Sequence, residues 1–205
     1  MLREELHYLL AAGAALVQFD EPVLSEVVFT GAKSTRSFMC GALSEKKDAA
    51  SELDFARTLI NSVVDGLPRT RTALHICRGN WTPNESAALR GDYEPLLPLL
   101  SEIQVGTLFL ELSTPRAGNM AVLKDLPHDL QIGVGVVNQK QPGIESVDEI
   151  VTRGREAVRI FGADRVLFNP DCGFATFADN PVSSATVAEL KLRAIVQAAE
   201  IIRRG

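Results

Sequence analysis

Five short apolar runs, separated by polar and helical stretches, constrain the fold of this chain more than any other feature of its sequence. The runs are apolar on both faces, which is typical of the buried strands of a parallel sheet covered by helices. They are Ala14–Phe19, Thr72–Cys77, Thr107–Glu111, Gln131–Val137 and Arg165–Asn169. Strand alternating with helix predicts an α/β protein built from about five βα units.

The stretches between these runs carry helix signals. Apolar residues recur with a period near 3.6 in Ser51–Val64. Ser146 and Glu149 form a capping box at the start of Val147–Phe161. After the last run, Asn180 and Pro181 introduce Val182–Ile202. The polar segment Gly31–Lys47 is predicted to be a loop. The predicted helices are Ser51–Val64, Val147–Phe161 and Val182–Ile202.

Two architectures fit this alternation: an open doubly wound sheet, or part of a (β/α)8 TIM barrel. No Gly-rich turn of the nucleotide-binding kind follows any run, which argues against the open doubly wound sheet. The chain has 205 residues, and we expect residues 1–205 to form a single domain. A complete barrel needs roughly 250 residues. Five strands are too few to close a barrel, so the second architecture would be an incomplete barrel with two open sheet edges.

Composition narrows the classes of function. The net charge is −5 and no Lys/Arg cluster is present, so we expect no nucleic-acid partner. No apolar run approaches the ~20 residues that span a membrane, and the first residues lack a signal-peptide pattern, so we expect a cytoplasmic protein without a membrane partner. Three widely spaced cysteines argue against a disulfide framework. We expect no functional role for Cys40, and we expect His7 and His128 to lie on the surface.

The strongest local motif is His75-Ile76-Cys77 at the end of the second run. Residues two apart in a strand point to the same side, so the imidazole and the thiol face one way together. Such a pair is half of a tetrahedral zinc site. The alternative is a buried cysteine beside a hydrogen-bonded core histidine.

Two more metal-ligand candidates end other runs. Glu111 follows the three apolar residues Leu108–Leu110, where a carboxylate is costly to bury unless it is paired or binds a metal. The pairing alternative is an ion pair with Arg116 or Arg78. Cys172 follows the last run, and its alternative is an inert loop thiol. One His, two Cys and one Glu at the same end of three strands predict a catalytic zinc site.

Carboxylates also close the first run, in Asp20-Glu21-Pro22, with Glu26 further on. They are candidates for binding an amino group or the NH groups of a pterin ring. For Glu21 the alternative is a place in the first turn of a helix after Pro22.

Zinc with two cysteinate ligands suits one class of reaction better than others. Zinc stabilises the deprotonated form of a bound substrate thiol near neutral pH, and a carboxylate ligand can be exchanged for the incoming sulfur. This chemistry favours alkyl transfer to a thiol over hydrolysis, for which a zinc site rich in histidine is usual.

Four separated strings, VQFDEPVLSE, LHICRGNW, LFLELS and FNPDCGF, resemble the C-terminal catalytic domain of cobalamin-independent methionine synthase. The resemblance covers nearly all of the chain from about residue 14. It implies strands four to eight of a TIM barrel, and methyl transfer from a methylated folate or related donor to homocysteine. Asp20 and Glu26 fall on the substrate-contacting positions of that family. The implied zinc ligands are His75, Cys77, Glu111 and Cys172.

The sequence departs from that family in the segment after Gln131–Val137. The family has a histidine implicated in proton donation there, and Lys140 takes its place. Lys140 is therefore the candidate catalytic residue. Two other functions remain open: a truncated, non-catalytic zinc-binding fragment, or a zinc alkyltransferase that uses a different thiol or donor. In each case we expect a homo-oligomer or a partner chain to cover the open sheet edges.

Overall fold

The centre of the molecule is a parallel sheet of five strands. The computed structural model describes residues 1–29 and 48–205. Each strand of the sheet pairs with the next one along the chain, in the order β1-β2-β3-β4-β5. A doubly wound sheet would reverse its strand order at a switch point, so the sequential order favours the barrel-type alternative. The strands are β1 (Val17–Glu21), β2 (Thr72–Ile76), β3 (Thr107–Leu110), β4 (Gln131–Val137) and β5 (Val166–Pro170).

Helices and short 3₁₀ turns connect the strands. After β5 the chain forms a small antiparallel hairpin of β6 (Ala175–Phe177) and β7 (Asn180–Pro181). No helix in the two described ranges has the length and apolar character needed to cross a membrane. The helices are α1 (Leu2–Ala11), α2 (Val23–Phe29), α3 (Ala49–Val64), α4 (Leu97–Glu102), α5 (Val147–Phe161) and α6 (Ala185–Arg204).

The five predicted strands are all present, with shifted ends. β4 has the predicted bounds, whereas β1 begins three residues later than the apolar run. Helix α5 also has the predicted bounds. Its capping box is complete, because the Ser146 hydroxyl accepts from the Glu149 N–H and the Glu149 carboxylate accepts from the Ser146 N–H.

Other sequence expectations need correction. Helix α6 begins at Ala185 with Ser184 as its N-cap, because Asn180 and Pro181 pair with β6 instead of starting the helix. Helices α1 and α4 were not predicted, and α2 was predicted only as the alternative for Glu21. The predicted loop Gly31–Lys47 and Cys40 lie outside the described residues. His7 and His128 are exposed, as predicted.

The sheet has one apolar face and one face that carries polar groups. Side chains on the apolar face are fully buried under the helices, among them Leu74, Leu108 and Ile132. Helix α5 packs against both β4 and α6 on that side. On the opposite face, the register of the strands aligns one residue from each strand in a row. That row contains Asp20, His75, Phe109, Gly133 and Leu167.

Candidate metal centre

The imidazole of His75 is held in one orientation by the neighbouring strand. Its Nδ1 lies 3.1 Å from the backbone oxygen of Phe109. A carbonyl oxygen only accepts, so Nδ1 carries the proton and Nε2 of the neutral ring is left with a free lone pair. Nε2 lies 3.3 Å from the Sγ of Cys172. Burial lowers the pKa of His75, but its interactions with Cys77 and the charge of Glu111 raise it above the ordinary value.

The two described thiols are neighbours. The Sγ atoms of Cys77 and Cys172 lie 3.8 Å apart, and neither residue is in a disulfide. The contact with Cys172, the nearby His75 and the hydrogen bond from the Gly79 N–H lower the pKa of Cys77 to about 5 despite burial. The same Cys77 contact and burial raise the pKa of Cys172. Ionisation of one thiol of the pair therefore disfavours ionisation of the other.

Glu111 is almost completely buried, with both carboxylate oxygens engaged. Its Oε1 accepts from the Arg78 N–H at 2.6 Å, and its Oε2 accepts from Arg116 Nη2 at 2.7 Å. The ion pair with Arg116, one of the sequence alternatives, therefore exists alongside the cluster. Burial, then the charges of Asp171 and Cys77, raise the pKa of Glu111 to about 8, against the effect of Arg116.

These four side chains meet at one point. One ligand atom from each of them lies within 4.8 Å of every other. Cys77 and Glu111 come two residues after His75 and Phe109, so they point to the same side of the sheet. The donor set is one nitrogen, two sulfurs and one carboxylate oxygen. Zinc takes donor atoms of these kinds, and Arg116 offsets part of the carboxylate charge while it also pairs with Glu85. The residues therefore fit a metal cation.

The two carboxylates expected to bind substrate lie on different elements. Asp20 is exposed at the end of β1, in register with His75, and its Oδ1 accepts from Gln18 Nε2 at 2.6 Å. Glu26 is buried in α2. Neither belongs to the group of four. Glu21 accepts a hydrogen bond from the Val23 N–H at 2.8 Å, in agreement with the alternative of a place beside the first turn of a helix.

Lys140 is buried in the loop after β4. Its Nζ donates to the backbone oxygen of Thr82, and its backbone N–H donates to Asn138 Oδ1 at 2.9 Å. Burial lowers the pKa of its ammonium, although the charges of Glu111 and Glu85 oppose that effect. Lys140 therefore lies within the electrostatic range of the centre, on a loop that the sequence had indicated.

Sequence reasoning missed two residues that support Glu111 and Cys172. Tyr93 is fully buried, and its hydroxyl accepts from the Glu111 N–H at 3.0 Å. Asp171 is also fully buried, beside Cys172. Tyr93 lies in a polar stretch with no pattern that could have revealed it. Asp171 stands inside the FNPDCGF string, and its position next to a ligand was the available signal.

Comparison with known proteins gives the family. Residues 1–201 match the family model described as the catalytic domain of the cobalamin-independent synthase. The chain belongs to that family.

Individual members of the cobalamin-independent synthase family show how much of them this chain represents. It is 30% identical over 152 residues to the protein YxjH of Bacillus subtilis, covering 73% of this chain and 40% of YxjH. It is 28% identical over 204 residues to the methionine synthase of Pyrococcus horikoshii, covering all of this chain and 48% of that protein. The chain spans about half the length, or less, of these relatives.

A solved structure gives the same picture for the cobalamin-independent synthase fold. The B12-independent methionine synthase of Shewanella sp. W3-18-1, solved with selenomethionine, matches with a TM-score of 0.74 and 25% identity. The match covers 99% of this chain and 52% of that one. The prediction of an α/β fold that forms the C-terminal part of a TIM barrel is confirmed.

Proposed function

We propose that this chain is a zinc-dependent methyltransferase module that transfers a methyl group from a methylated folate, or a related donor, to the thiol of homocysteine, giving methionine. The observation that carries the proposal is the convergence of His75, Cys77, Glu111 and Cys172 within 4.8 Å of one another. One imidazole, two thiolates and one carboxylate form a four-coordinate donor set of the kind zinc takes. Membership in the synthase family supports the same activity.

Zinc at this centre would hold the substrate thiol as a nucleophilic thiolate at neutral pH. The residues of the chain supply the orientation. The Phe109 carbonyl keeps Nε2 of His75 directed at the centre. The backbone N–H of Arg78 and the guanidinium of Arg116 hold the Glu111 carboxylate from both sides, and Arg116 offsets part of its charge without a metal. A carboxylate with other partners costs less to release, which suits a ligand that gives way to an incoming sulfur.

The methyl transfer forms one bond and breaks another. A lone pair of the homocysteine sulfur forms the bond to the methyl carbon, while the bond between that carbon and a donor nitrogen breaks. The electron pair stays on the nitrogen, which then takes up a proton. We propose Lys140 as the source of that proton, because it is a buried ammonium group on a loop at the same end of the sheet. Asp20 and Glu26 are proposed to bind polar NH groups of the substrates.

A partner for the sheet edges is part of the proposal. Among the described strands, β1 and β5 each pair on one side only. Leu167 on β5 is exposed, on the same face as His75. A second copy of the chain, or another chain that supplies the remaining strands, would cover these edges. This observation favours a second candidate function, a zinc-binding subunit that is inactive without its partner.

We further propose that residues 1–205 form one domain, because a single apolar cluster joins the sheet with α5 and α6. We also propose a cytoplasmic location, since two free thiols 3.8 Å apart persist best in a reducing compartment.

The experiment that tests the function measures methionine by mass spectrometry. The zinc-loaded chain is incubated with homocysteine and a panel of methyl donors that includes a methylated folate. Each reaction is run with and without candidate chains that could complete the barrel, and Cys77→Ser is the matched inactive control. We expect methionine from a folate donor, in larger amount when a completing chain is present. Zinc binding without methylation under every condition would favour the inactive subunit, whereas methylation of another thiol would favour a different zinc alkyltransferase.

A further inference from the structure

Asp171 connects the ends of two strands that are not neighbours. It follows β5 directly, but its side chain reaches across β4 to the end of β3. Its Oδ1 accepts hydrogen bonds from the backbone N–H groups of Leu112 and Ser113, at 2.9 and 2.8 Å. Its Oδ2 accepts from the Ser113 hydroxyl at 2.5 Å. Three donors therefore hold one fully buried carboxylate.

Both ends of this connection adjoin a residue of the metal centre. Asp171 immediately precedes Cys172, and Leu112 immediately follows Glu111. The backbone is held as well, since the Asp171 N–H donates to the Val137 oxygen of β4 at 2.9 Å. The Asp171 side chain therefore links the backbone segment that carries Cys172 to the segment that carries Glu111.

The Asp171 side chain can cross β4 because the residue of β4 beneath it is Gly135. A Cβ atom at Gly135 would lie 2.1 Å from Asp171 Oδ1 and 2.8 Å from the Leu110 oxygen. Any side chain at that position would displace the aspartate or part the strands. Gly135 is thus required by the path of Asp171 and not by a turn.

We propose that Asp171, with Ser113 and Gly135, is the positioning device of the metal centre, fixing Cys172 against Glu111 before the ion arrives. The inference rests on the zinc centre of the proposed function. Asp171 contributes no ligand atom to the group of four. Its carboxylate is held by the three donors, and Arg116 Nη2 lies 3.7 Å from Oδ2. Its effect on the metal therefore passes through the two residues that it spaces and through its charge, which Asp171→Asn removes while the spacing stays.

The test measures zinc affinity by competition with a chromophoric chelator, together with the absorption spectrum of the Co²⁺ form. Removal of a group that orients metal ligands costs about 10- to 100-fold in affinity. We expect a loss of that size for Asp171→Ala and for Gly135→Ala, and a smaller loss for Ser113→Ala. Asp171→Asn should retain most of the affinity, because an amide oxygen accepts the same two N–H groups. Gly143→Ala is the control, since a Cβ there meets nothing within 4 Å.

Measurements on the metal-free and Co²⁺ forms separate positioning from a purely structural role. If the contacts of Asp171 only stabilise the fold, their removal would lower the unfolding temperature in chelator. The zinc affinity and the Co²⁺ bands of the folded variants would then stay as in the wild type. That result for Asp171→Ala would overturn the inference. Should Asp171→Ala not fold, wild-type affinity in both Ser113→Ala and Gly135→Ala would overturn it equally.

The same measurements keep this inference apart from the proposed activity. A wild-type chain that binds no zinc contradicts the metal centre and the inference together. A wild-type chain that binds zinc while Asp171→Ala binds it equally well contradicts the inference alone. Weakened binding in the variants, without methyl transfer by the wild type, supports the inference and contradicts the activity.

Discussion

The Sγ atoms of Cys77 and Cys172 lie 3.8 Å apart, although the residues are 95 positions apart in the chain. Cys77 follows β2 and Cys172 follows β5, so three strand spacings separate their backbones. In a flat sheet that separation would be about 14 Å, at roughly 4.8 Å per strand. The sulfurs meet because the segment after β5 turns across the sheet: the Asp171 N–H donates to the Val137 oxygen of β4, and the Asp171 side chain reaches the end of β3. The metal centre therefore depends on the path of that segment.

The first prediction concerns metal content. We expect about one zinc ion per chain, and its loss in Cys77→Ser and in Cys172→Ser, because each variant removes one of the four donor atoms. Metal analysis of the purified proteins measures this. The control is Cys40→Ser, which the sequence predicts to be without effect on zinc. Full zinc content in both variants of the cysteine pair would contradict the centre.

The second prediction concerns the stability of the metal-free chain. Arg116→Met leaves the buried Glu111 carboxylate without its cation, and we expect a loss of about 3–5 kcal/mol in the free energy of unfolding. Chemical denaturation in the presence of a chelator measures the change. The matched control is Arg193→Met, which breaks an exposed pair with Glu189 and should cost less than about 1 kcal/mol. Equal losses in the two variants would refute the argument.

The third prediction concerns Lys140. Its Nζ is held by the backbone oxygen of Thr82 and not by a metal-centre residue. We therefore expect Lys140→Met to keep its zinc while methyl transfer falls by about 100-fold, the usual contribution of a proton donor. Steady-state assays and metal analysis on the same preparation measure both quantities. Lys124→Met, at an exposed lysine, is the control. Unchanged activity in Lys140→Met would remove this residue from the mechanism.

The fourth prediction concerns substrate recognition by Asp20. Because Asp20 is exposed and in register with His75, Asp20→Asn should leave folding and zinc binding intact. Loss of one charge-assisted contact to an amino group should raise KM for homocysteine about tenfold, which corresponds to about 1.4 kcal/mol. Initial-rate kinetics over a range of homocysteine concentrations checks it. An unaltered KM in an active variant would mean that Asp20 has another role.

The fifth prediction concerns association. The exposed Leu167 on the edge strand β5 should be covered in a dimer or by a partner chain, so Leu167→Asp should weaken association. Light scattering at several protein concentrations measures it. The control is Phe55→Asp on α3, which removes an exposed apolar side chain away from the sheet edge. A strictly monomeric wild type that methylates homocysteine efficiently by itself would contradict the need for a partner.

Local patterns predicted the elements whose ends they mark. The bounds of β4 match the prediction because Gln131–Val137 is an apolar run that is buried almost throughout. The bounds of α5 match because Ser146 and Glu149 cap the helix. The start of α6 was wrong by three residues. Asn180 and Pro181 signal a helix start locally, but pairing with β6 takes them into a hairpin.

By itself, the sequence determined which side chains could form the centre. The alternation of the strand places His75 and Cys77 on one side, and the carboxyl ends of parallel strands bring Glu111 and Cys172 to the same edge. Only the tertiary structure decided the rest. The contact between the two thiols, the guanidinium of Arg116 on Glu111 and the path of Asp171 over Gly135 depend on distances between strands far apart in the chain. Those distances follow from the packing of the whole sheet and of the segments after its strands, which no local pattern encodes.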